Sequence, residues 1–527
     1  MKKINKIKNM FIAAASVLAL TGCSDFLEKD SLSAVSSATF WQTPEDALSG
    51  LAACYDALQS HWLYDGGPWE CGILNMDCMT DNGGHFNWSG WMAGYDIANG
   101  IHDSNSWLAG DYWKACYEAI KRCNTLIDNI ERVDMDADLV AQYKAEAIVI
   151  RSLIYTLLTS TFQDVPYLVH VSSLADAEVA KTPKAEIVEG VMADLKKAAE
   201  VLPSTAPARG RITKGAALSL LGRLALYNEK WTEAISAYEQ VLGLGYSLFP
   251  DYSTLFTQEN EGCNEIIWGL RFEGPGLSEG SNFCAHWNTP IESMNGTVDL
   301  ADAFYRLDGT SGADEPVYGV DPDGNPSTSF DFPNMNRYDN RDPRLYATLF
   351  VPGMTWGNNS GTYGGASPSY STVYVMKYFD PYDTANSWDS GQDFYIIRYA
   401  EVLLSLAEAY VEGGRHSDAE PLVNQVRTRA GMPTIAEVEG SNLSKDAMRE
   451  VVRHERRVEL AFEGLRLFDL YRWHILKDAV DRVNNEASKY GFWYEYRNYR
   501  GEQEYVWPIP QSELDCNSKL VQHSLWQ

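Results

Sequence analysis

No two of the nine cysteines, Cys23, Cys54, Cys71, Cys78, Cys116, Cys123, Cys263, Cys284 and Cys516, fall in CxxC spacing. That excludes zinc ribbons and thioredoxin-like redox sites. Cys116 and Cys123, seven apart on an apparent helix, read as two buried small hydrophobes. Disulfides formed after export stay open, because spacing does not assign them. Basic side chains are also scarce: 43 Lys and Arg stand against 72 Asp and Glu, a net charge of -29. Nucleic acid is therefore not an expected partner, since phosphate binding needs basic patches. An anionic substrate would need a local exception. Past residue 22 no run reaches about 18 apolar residues, so no transmembrane helix is expected there. Enzyme signatures are missing as well. There is no GxSxG and no phosphate loop, and His454-Glu455 begins like HExxH but has Val458 where the second His belongs. Asp321, Asp323 and Asn325 alternate like the start of a calcium loop, yet the Gly and distal Glu are misplaced. No metal or cofactor is expected. Carboxylates abound, so a glycosidase pair is not excluded by counting; the distance between carboxyls decides that.

What is present begins with an export signal. Lys2, Lys3, Lys6 and Lys8 precede an apolar run from Met10 to Leu20, too short to span a bilayer and right for the core of a signal peptide. Leu20-Thr21-Gly22-Cys23 then looks like a bacterial lipobox, with residues 1–22 removed, Cys23 lipidated and residues 23–40 a polar tether. The alternative is an ordinary signal peptide with an incidental cysteine. Several acyl chains on Cys23 would anchor the protein stably, where one would hold it only marginally.

The body predicts a mainly α protein. Thr43-Pro44-Glu45-Asp46 supplies a cap, a Pro for the first turn and acids at the helix N-terminus, and Leu48, Leu51, Tyr55 and Leu58 line one face. Further helices are expected from Asp111 to Ile130 and from Ala141 to Thr161. Leu221-Gly222, Ala234 and Tyr238 have the spacing by which paired helices of a tetratricopeptide repeat interlock, and Leu406-Ala407, Tyr410, Ala419 and Val423 repeat it. Two unrelated hairpins would give the same pattern. The expected organisation is a helical region over 41–260 and a second over 261–527, with a loop-rich insert at 272–395 broken by one helix from Val298 to Tyr305. In residues 448–476, Met448, Val451, Val452, Val458, Phe462, Leu465 and Phe468 place one apolar stripe on a single helix. Glu455 falls inside that stripe with Arg and Glu crowded around it, which predicts docking through an ion-pair network. By themselves these residues describe a structural helix equally well. After Ile475 the chain turns polar and rich in Tyr and Trp.

Residues 61–110 hold five Trp, at 62, 69, 88, 91 and 107, among Gly, Asp and Asn. Long loops so equipped are commonly functional. A sugar presents a flat C–H face that packs on an indole, and hydroxyls that Asn, Asp and Arg can bond. Any single Trp could instead anchor a loop in the core.

ERRVELAFEG followed by RLFDLYRW resembles the C-terminal hallmark of the SusD-like (RagB/SusD) glycan-binding lipoproteins of Bacteroidetes outer membranes. Further matches are Ala145-Glu146-Ala147 with Arg151 and Asp164-Val165-Pro166, the run Arg211 to Ala217, Ala303-Phe304 with Asp308-Gly309, Arg341 to Leu345, Arg398 to Leu404, and Asn424 to Gly431. Leu520-Val521-Gln522-His523 departs from the family's ending at its last position. The resemblance implies a tetratricopeptide-like scaffold of about four helix pairs with large irregular insertions, and a surface-exposed, lipid-anchored outer-membrane protein without catalysis. It implies capture of an oligosaccharide or polysaccharide and delivery to a TonB-dependent SusC-like transporter. By position the site maps to Asp81–Trp91 and to Trp287. Trp88, Trp91 and Trp287 are the expected stacking platforms, and Asp81, Asn82 and Asn87 the expected partners of sugar hydroxyls. The rival readings are a surface glycoside hydrolase and a tetratricopeptide-type scaffold for proteins or peptides.

Overall fold

Thr43 and Asp46 start the first helix by capping each other. The Thr43 hydroxyl accepts the Asp46 N–H at 3.2 Å, and the Asp46 carboxylate accepts the Thr43 N–H at 2.8 Å. With Pro44 where no N–H is needed, helix α1 runs Pro44–Asp56, as its sequence predicts. The computed structural model describes residues 40–66, 72–85, 94–171, 178–282, 294–327, 332–355, 373–379, 388–490 and 497–527. Helices α2 (Trp107–Asn129) and α3 (Ala137–Thr161) start a turn earlier than periodicity predicts. For α3 the cause is Asp136, whose carboxylate accepts the N–H groups of Asp138 and Leu139. Cys116 and Cys123 are fully buried free thiols on α2, and Cys123 lies close to Cys54 of α1.

Helices α4 (Lys184–Val201), α5 (Lys214–Tyr227), α6 (Trp231–Leu242), α7 (Tyr399–Glu412) and α8 (Glu420–Arg429) continue the stack. Each helix from α1 to α8 packs on the next, giving four successive pairs of the tetratricopeptide-like kind. The spacing seen in sequence has its expected cause. Gly222 of α5 lies under the ring of Tyr238 on α6, where an added Cβ would come within 2.6 Å of the ring carbons. Ala234, Ala407, Ala419 and Val423 have no exposed surface. Because α6 packs directly on α7, the stack is continuous across the long excursion between them. Arg223 of α5 reinforces it, donating to both carboxylate oxygens of Glu401 on α7 at 2.7 and 2.6 Å.

The excursion contributes short strands. In chain order these are β1 (Gly83–His85), β2 (Ile266–Leu270), β3 (Met294–Gly296), β4 (Leu349–Phe350), β5 (Tyr374–Val375) and β6 (Phe394–Arg398). One antiparallel sheet has the order β1-β3-β5-β4, and β2 pairs with β6 through an irregular register. The expected helix in this region runs Val298–Ala303, capped by the Thr297 hydroxyl.

Residues 448–476 do not form the single helix that their apolar stripe predicts. They divide into α9 (Lys445–Leu460) and α10 (Arg466–Arg472), because Phe462 and Gly464 adopt φ values of 57° and 74°. The polar sequence after Ile475 opens with a helix that its composition does not announce: α11 spans Leu476–Tyr490 and buries Leu476, Ala479, Val480 and Val483. Its dense Asp, Arg and Asn hide that stripe in the sequence.

The predicted ion-pair network is present and buried. Glu459 on α9 takes Arg398 at 2.6 Å and Arg344 at 2.9 Å, with Arg429 also on its carboxylate. Glu455 takes Arg344 at 2.6 Å and Arg427 at 2.9 Å, and Glu463 takes Lys377 at 2.8 Å and Arg398 at 2.7 Å. Burial opposes ionisation of these acids, but the surrounding guanidinia win: Glu459 is held well below the usual carboxylate range and Glu455 and Glu463 below it. The hallmark stretch thus rivets α8 and β6 to the irregular region. At the C-terminus Gln522 accepts the Ile509 N–H at 3.0 Å and donates to its carbonyl at 2.8 Å, so the departure at His523 leaves the tail docked.

Candidate functional site

Strand β1 leads into residues 86–93, and β3 follows residues 283–293. His85 and Met294 are register partners. The two segments, distant in sequence, therefore join the sheet side by side at one end. A second clamp acts just ahead of residues 67–71: the Asp65 carboxylate accepts both the Asn282 N–H, at 2.5 Å, and its side-chain amide, at 3.0 Å. Three segments that carry Trp69, Trp88, Trp91 and Trp287 are thus anchored to neighbouring points of the fold. Of the expected site residues, Cys23, Asn87, Trp88, Trp91 and Trp287 lie outside the described residues.

Asp81 and Asn82 are described, and the structure corrects their role. Both are fully buried. Arg466 donates to the Asp81 carboxylate at 2.9 and 2.8 Å, Arg482 bonds the same group, and Arg457 approaches it at 3.4 Å. Burial would raise this carboxyl, yet the guanidinia of Arg457, Arg466 and Arg482 hold it well below the usual range. The Asn82 amide donates to Asp77 at 3.2 Å, and its oxygen accepts from Arg457 at 3.0 Å. Both side chains are consumed in holding β1 and do not face a sugar. Asp77 beneath them accepts the Gly464 N–H at 3.1 Å. Burial pushes its carboxyl up to about 7. Arg497 adds hydrogen bonds to the carbonyls of Cys78, Thr80 and Gly83. The hallmark break at Gly464, α10 and α11 are therefore the foundation of the loop that enters residues 86–93. Sequence reasoning missed Arg457, Arg466, Arg482 and Arg497 as its supports. The available signal was the excess of arginine after Arg453 over what α9 alone needs.

The described tryptophans differ in exposure. Trp41, Trp113, Trp268 and Trp507 are core residues. Trp107 and Trp388 are 43% and 47% exposed, and Trp107 meets the half-buried Trp62 edge to face at 5.5 Å.

Perturbed acids lie elsewhere. Burial, together with the neighbouring Asp393, pushes Glu261 up to about 8, and burial takes Asp393 to about 6. The two are buried against each other. Glu261 accepts the Asp393 N–H at 2.6 Å, and one guanidinium, Arg209, reaches them at 3.3 and 3.7 Å. A glycosidic bond has no room between them, whereas hydrolysis needs carboxyls roughly 5–10 Å apart with the sugar between. His454 Nε2–H donates to the Ala303 carbonyl at 2.7 Å and the ring stacks on Tyr305, while Glu455 belongs to the ion network. The Asp321 carboxylate accepts the N–H groups of Asp323 and Asn325 at 3.0 and 2.9 Å, an Asx turn with Gly324 at φ 83°. Among the described residues no cluster of three or more His, Cys, Asp or Glu could hold a metal, and no helix is long and apolar enough to cross a membrane.

Residues 264–526 match the SusD family model, and residues 25–226 match a model for starch-binding proteins associating with the outer membrane. SusD-like protein P25 of Formosa agariphila is 25% identical over 557 residues, covering 98% of each chain. SusD-like protein P2 of the same organism is 26% identical over 540 residues, covering 98% of this chain and 99% of its own. The fold is similar to that of a SusD-like carbohydrate binding protein from Bacteroides fragilis, with a TM-score of 0.75 and 25% identity over 92% of this chain and 100% of that one.

Proposed function

The chain belongs to the SusD-like family, and from that membership we propose that it captures oligosaccharides at the cell surface and hands them, uncut, to a TonB-dependent SusC-like transporter. Trp88, Trp91 and Trp287 serve as stacking platforms, with Asn87 bonding hydroxyls. Cys23, lipidated, holds the protein on the outer membrane. What supports this reading is the pairwise anchorage of the aromatic segments: the His85–Met294 register ties the stretch after β1 to the one before β3, and the Asp65–Asn282 clamp ties the start of that second stretch to the residue just ahead of 67–71. Binding side chains on loops over a stiff scaffold is the common arrangement for recognition.

Affinity gels loaded with a panel of neutral and acidic polysaccharides test it. The wild type is expected to be retarded by at least one, and the double variant Trp88→Ala, Trp91→Ala to run freely in that gel. Equal retardation of both would remove the two indoles from the site. Release of new reducing ends from the bound glycan would replace capture by hydrolysis. Cys23→Ala is expected to move the mature protein from the membrane to the soluble fraction, and copurification of wild type with a large outer-membrane barrel tests delivery.

A further inference from the structure

Among the described residues, one arginine stands apart. Every other described arginine donates to a carboxylate, a carbonyl or a side-chain oxygen, or lies within ion-pair distance of an acid. Arg271 has no such partner among the described residues. Its charge is felt by Asp393, but no hydrogen bond joins them. The guanidinium is exposed at the wall of a cavity of about 560 Å³ between α1 and the end of β2, within the ~300–1,000 Å³ typical of ligand sites. Leu51 and Leu270 floor this cavity, and Leu48, 48% exposed, stands at its mouth. Arg209 lines it too, still 43% exposed after reaching Glu261 and Asp393 at 3.3 and 3.7 Å. Arg211 forms a fixed wall, spent on the buried Glu146 at 2.6 Å with Tyr55 on the same carboxylate. Two acids approach the rim: Asp56 is taken by Arg122, and Glu279 lies exposed on the opposite hairpin.

We propose that this cavity is a second saccharide subsite, which takes the oxyanionic substituent of an acidic sugar, a carboxylate or a sulfate ester, on Arg271 and Arg209 while the sugar ring rests against Leu48 and Ala52. The proposal rests on the glycan-capture reading given above and adds the class of glycan. A guanidinium fork matches a planar or tetrahedral oxyanion with two parallel hydrogen bonds. The net charge of -29 does not forbid it, because at physiological salt charges more than about 8 Å away are largely screened and the nearest guanidinia decide. This is the local exception that an anionic ligand requires.

Titration calorimetry on the mature protein decides the matter with three probes: trigalacturonate, a sulfated carrageenan tetrasaccharide and neutral maltohexaose. One or both acidic probes are expected to bind, more weakly as salt rises, and which of the two binds separates carboxylate from sulfate. Arg271→Gln should weaken that binding by roughly tenfold or more, the loss of a charged hydrogen-bonding partner. Its melting temperature should change little, since among the described residues no hydrogen bond or ion pair ends on the guanidinium and Gln keeps the stem that packs on Gly210. Leu48→Trp, which fills the mouth, should weaken it as well. Failure of both acidic probes to bind, or binding that ignores Arg271→Gln and Leu48→Trp, overturns the proposal. The double variant Trp88→Ala, Trp91→Ala separates the two readings. If it loses every probe while Arg271→Gln loses none, capture by the indoles stands and this subsite falls; if acidic binding depends on Arg271 and not on the indoles, the subsite stands alone.

Discussion

Arg466 donates two parallel hydrogen bonds to Asp81, Nε to Oδ1 at 2.9 Å and Nη2 to Oδ2 at 2.8 Å, across 385 residues of chain. The helix after the hallmark break thereby grips the turn that opens into the first aromatic segment. Asp81→Ala would strand Arg466 and the inner face of Arg457 without their anion. Removing one partner of a buried pair costs about 3–5 kcal/mol, more than the pair itself contributes. Urea denaturation should show a loss of that size, and glycan retention should fall although no sugar contact has been deleted. A loss below about 1 kcal/mol would mean that the turn is held by other means.

Distance alone does not rank the ion pairs. Lys477 and Asp481 lie 2.6 Å apart on α11 with more than half of each side chain exposed, while Glu459 and Arg398 lie 2.6 Å apart with none. Water screens the first and not the second. Lys477→Ala is expected to leave stability essentially unchanged, and Glu459→Ala to cost about 3–5 kcal/mol because Arg398, Arg344 and Arg429 would lose the buried anion they share, keeping only their other acids. Similar unfolding midpoints for the two variants would contradict this ranking.

Glu261 makes stability depend on pH in the opposite sense from Glu459. Its carboxyl is raised to about 8 in the folded protein from an ordinary value of 4.5, so between those limits the native state binds more protons than the unfolded chain. Its contribution is complete at the acid end and is lost as pH climbs through 8. Asp77, raised to about 7, acts the same way, whereas the depressed Glu459 and Asp81 contribute above their ordinary values and fail only in acid. Melting temperature should therefore decline from pH 5 to pH 8.5 in the wild type. In Glu261→Gln, whose amide can donate to Asp393 without titrating, the decline should be shallower. Parallel curves would show that Glu261 does not titrate in this window.

Local chemistry was legible in the sequence. Thr43, Pro44 and Asp46 act on one another within a single turn, and Gly222 with Tyr238 belongs to a hairpin whose two helices meet wherever it sits. The charges around Glu455 announced an ion-pair network because buried guanidinia and carboxylates have few alternatives. Which acid pairs with which base was not legible, since Asp81 meets Arg466, and Asp65 meets Asn282, only once the chain has folded. Asp81 and Asn82 looked like ligand-binding residues because short polar side chains beside Trp suit both roles, and composition does not say which way a carboxylate points. Phe462 hid the helix break for a different reason: a bulky residue with positive φ is rare, and the apolar stripe runs through it unbroken.

That break offers the sharpest test of how the base of the site is built. Gly464 has φ 74°, its N–H is bonded to Asp77 at 3.1 Å, and an added Cβ would lie 2.7 Å from the Ile73 carbonyl oxygen. Gly431 has nearly the same conformation, φ 78°, but open space where a Cβ would go. Alanine at either position bears the left-handed strain of about 1–2 kcal/mol. Only Gly464→Ala must also push back Ile73 and with it the turn carrying Asp77 toward β1, and such overpacking costs a further 1–3 kcal/mol or so. The difference between the two variants isolates the contact. Gly464→Ala is expected to be the less stable in denaturant and the weaker in glycan retention, while Gly431→Ala binds like the wild type. Equal stability of the two would mean that the loop base yields freely, and the coupling of the hallmark break to the aromatic segments would have to be given up.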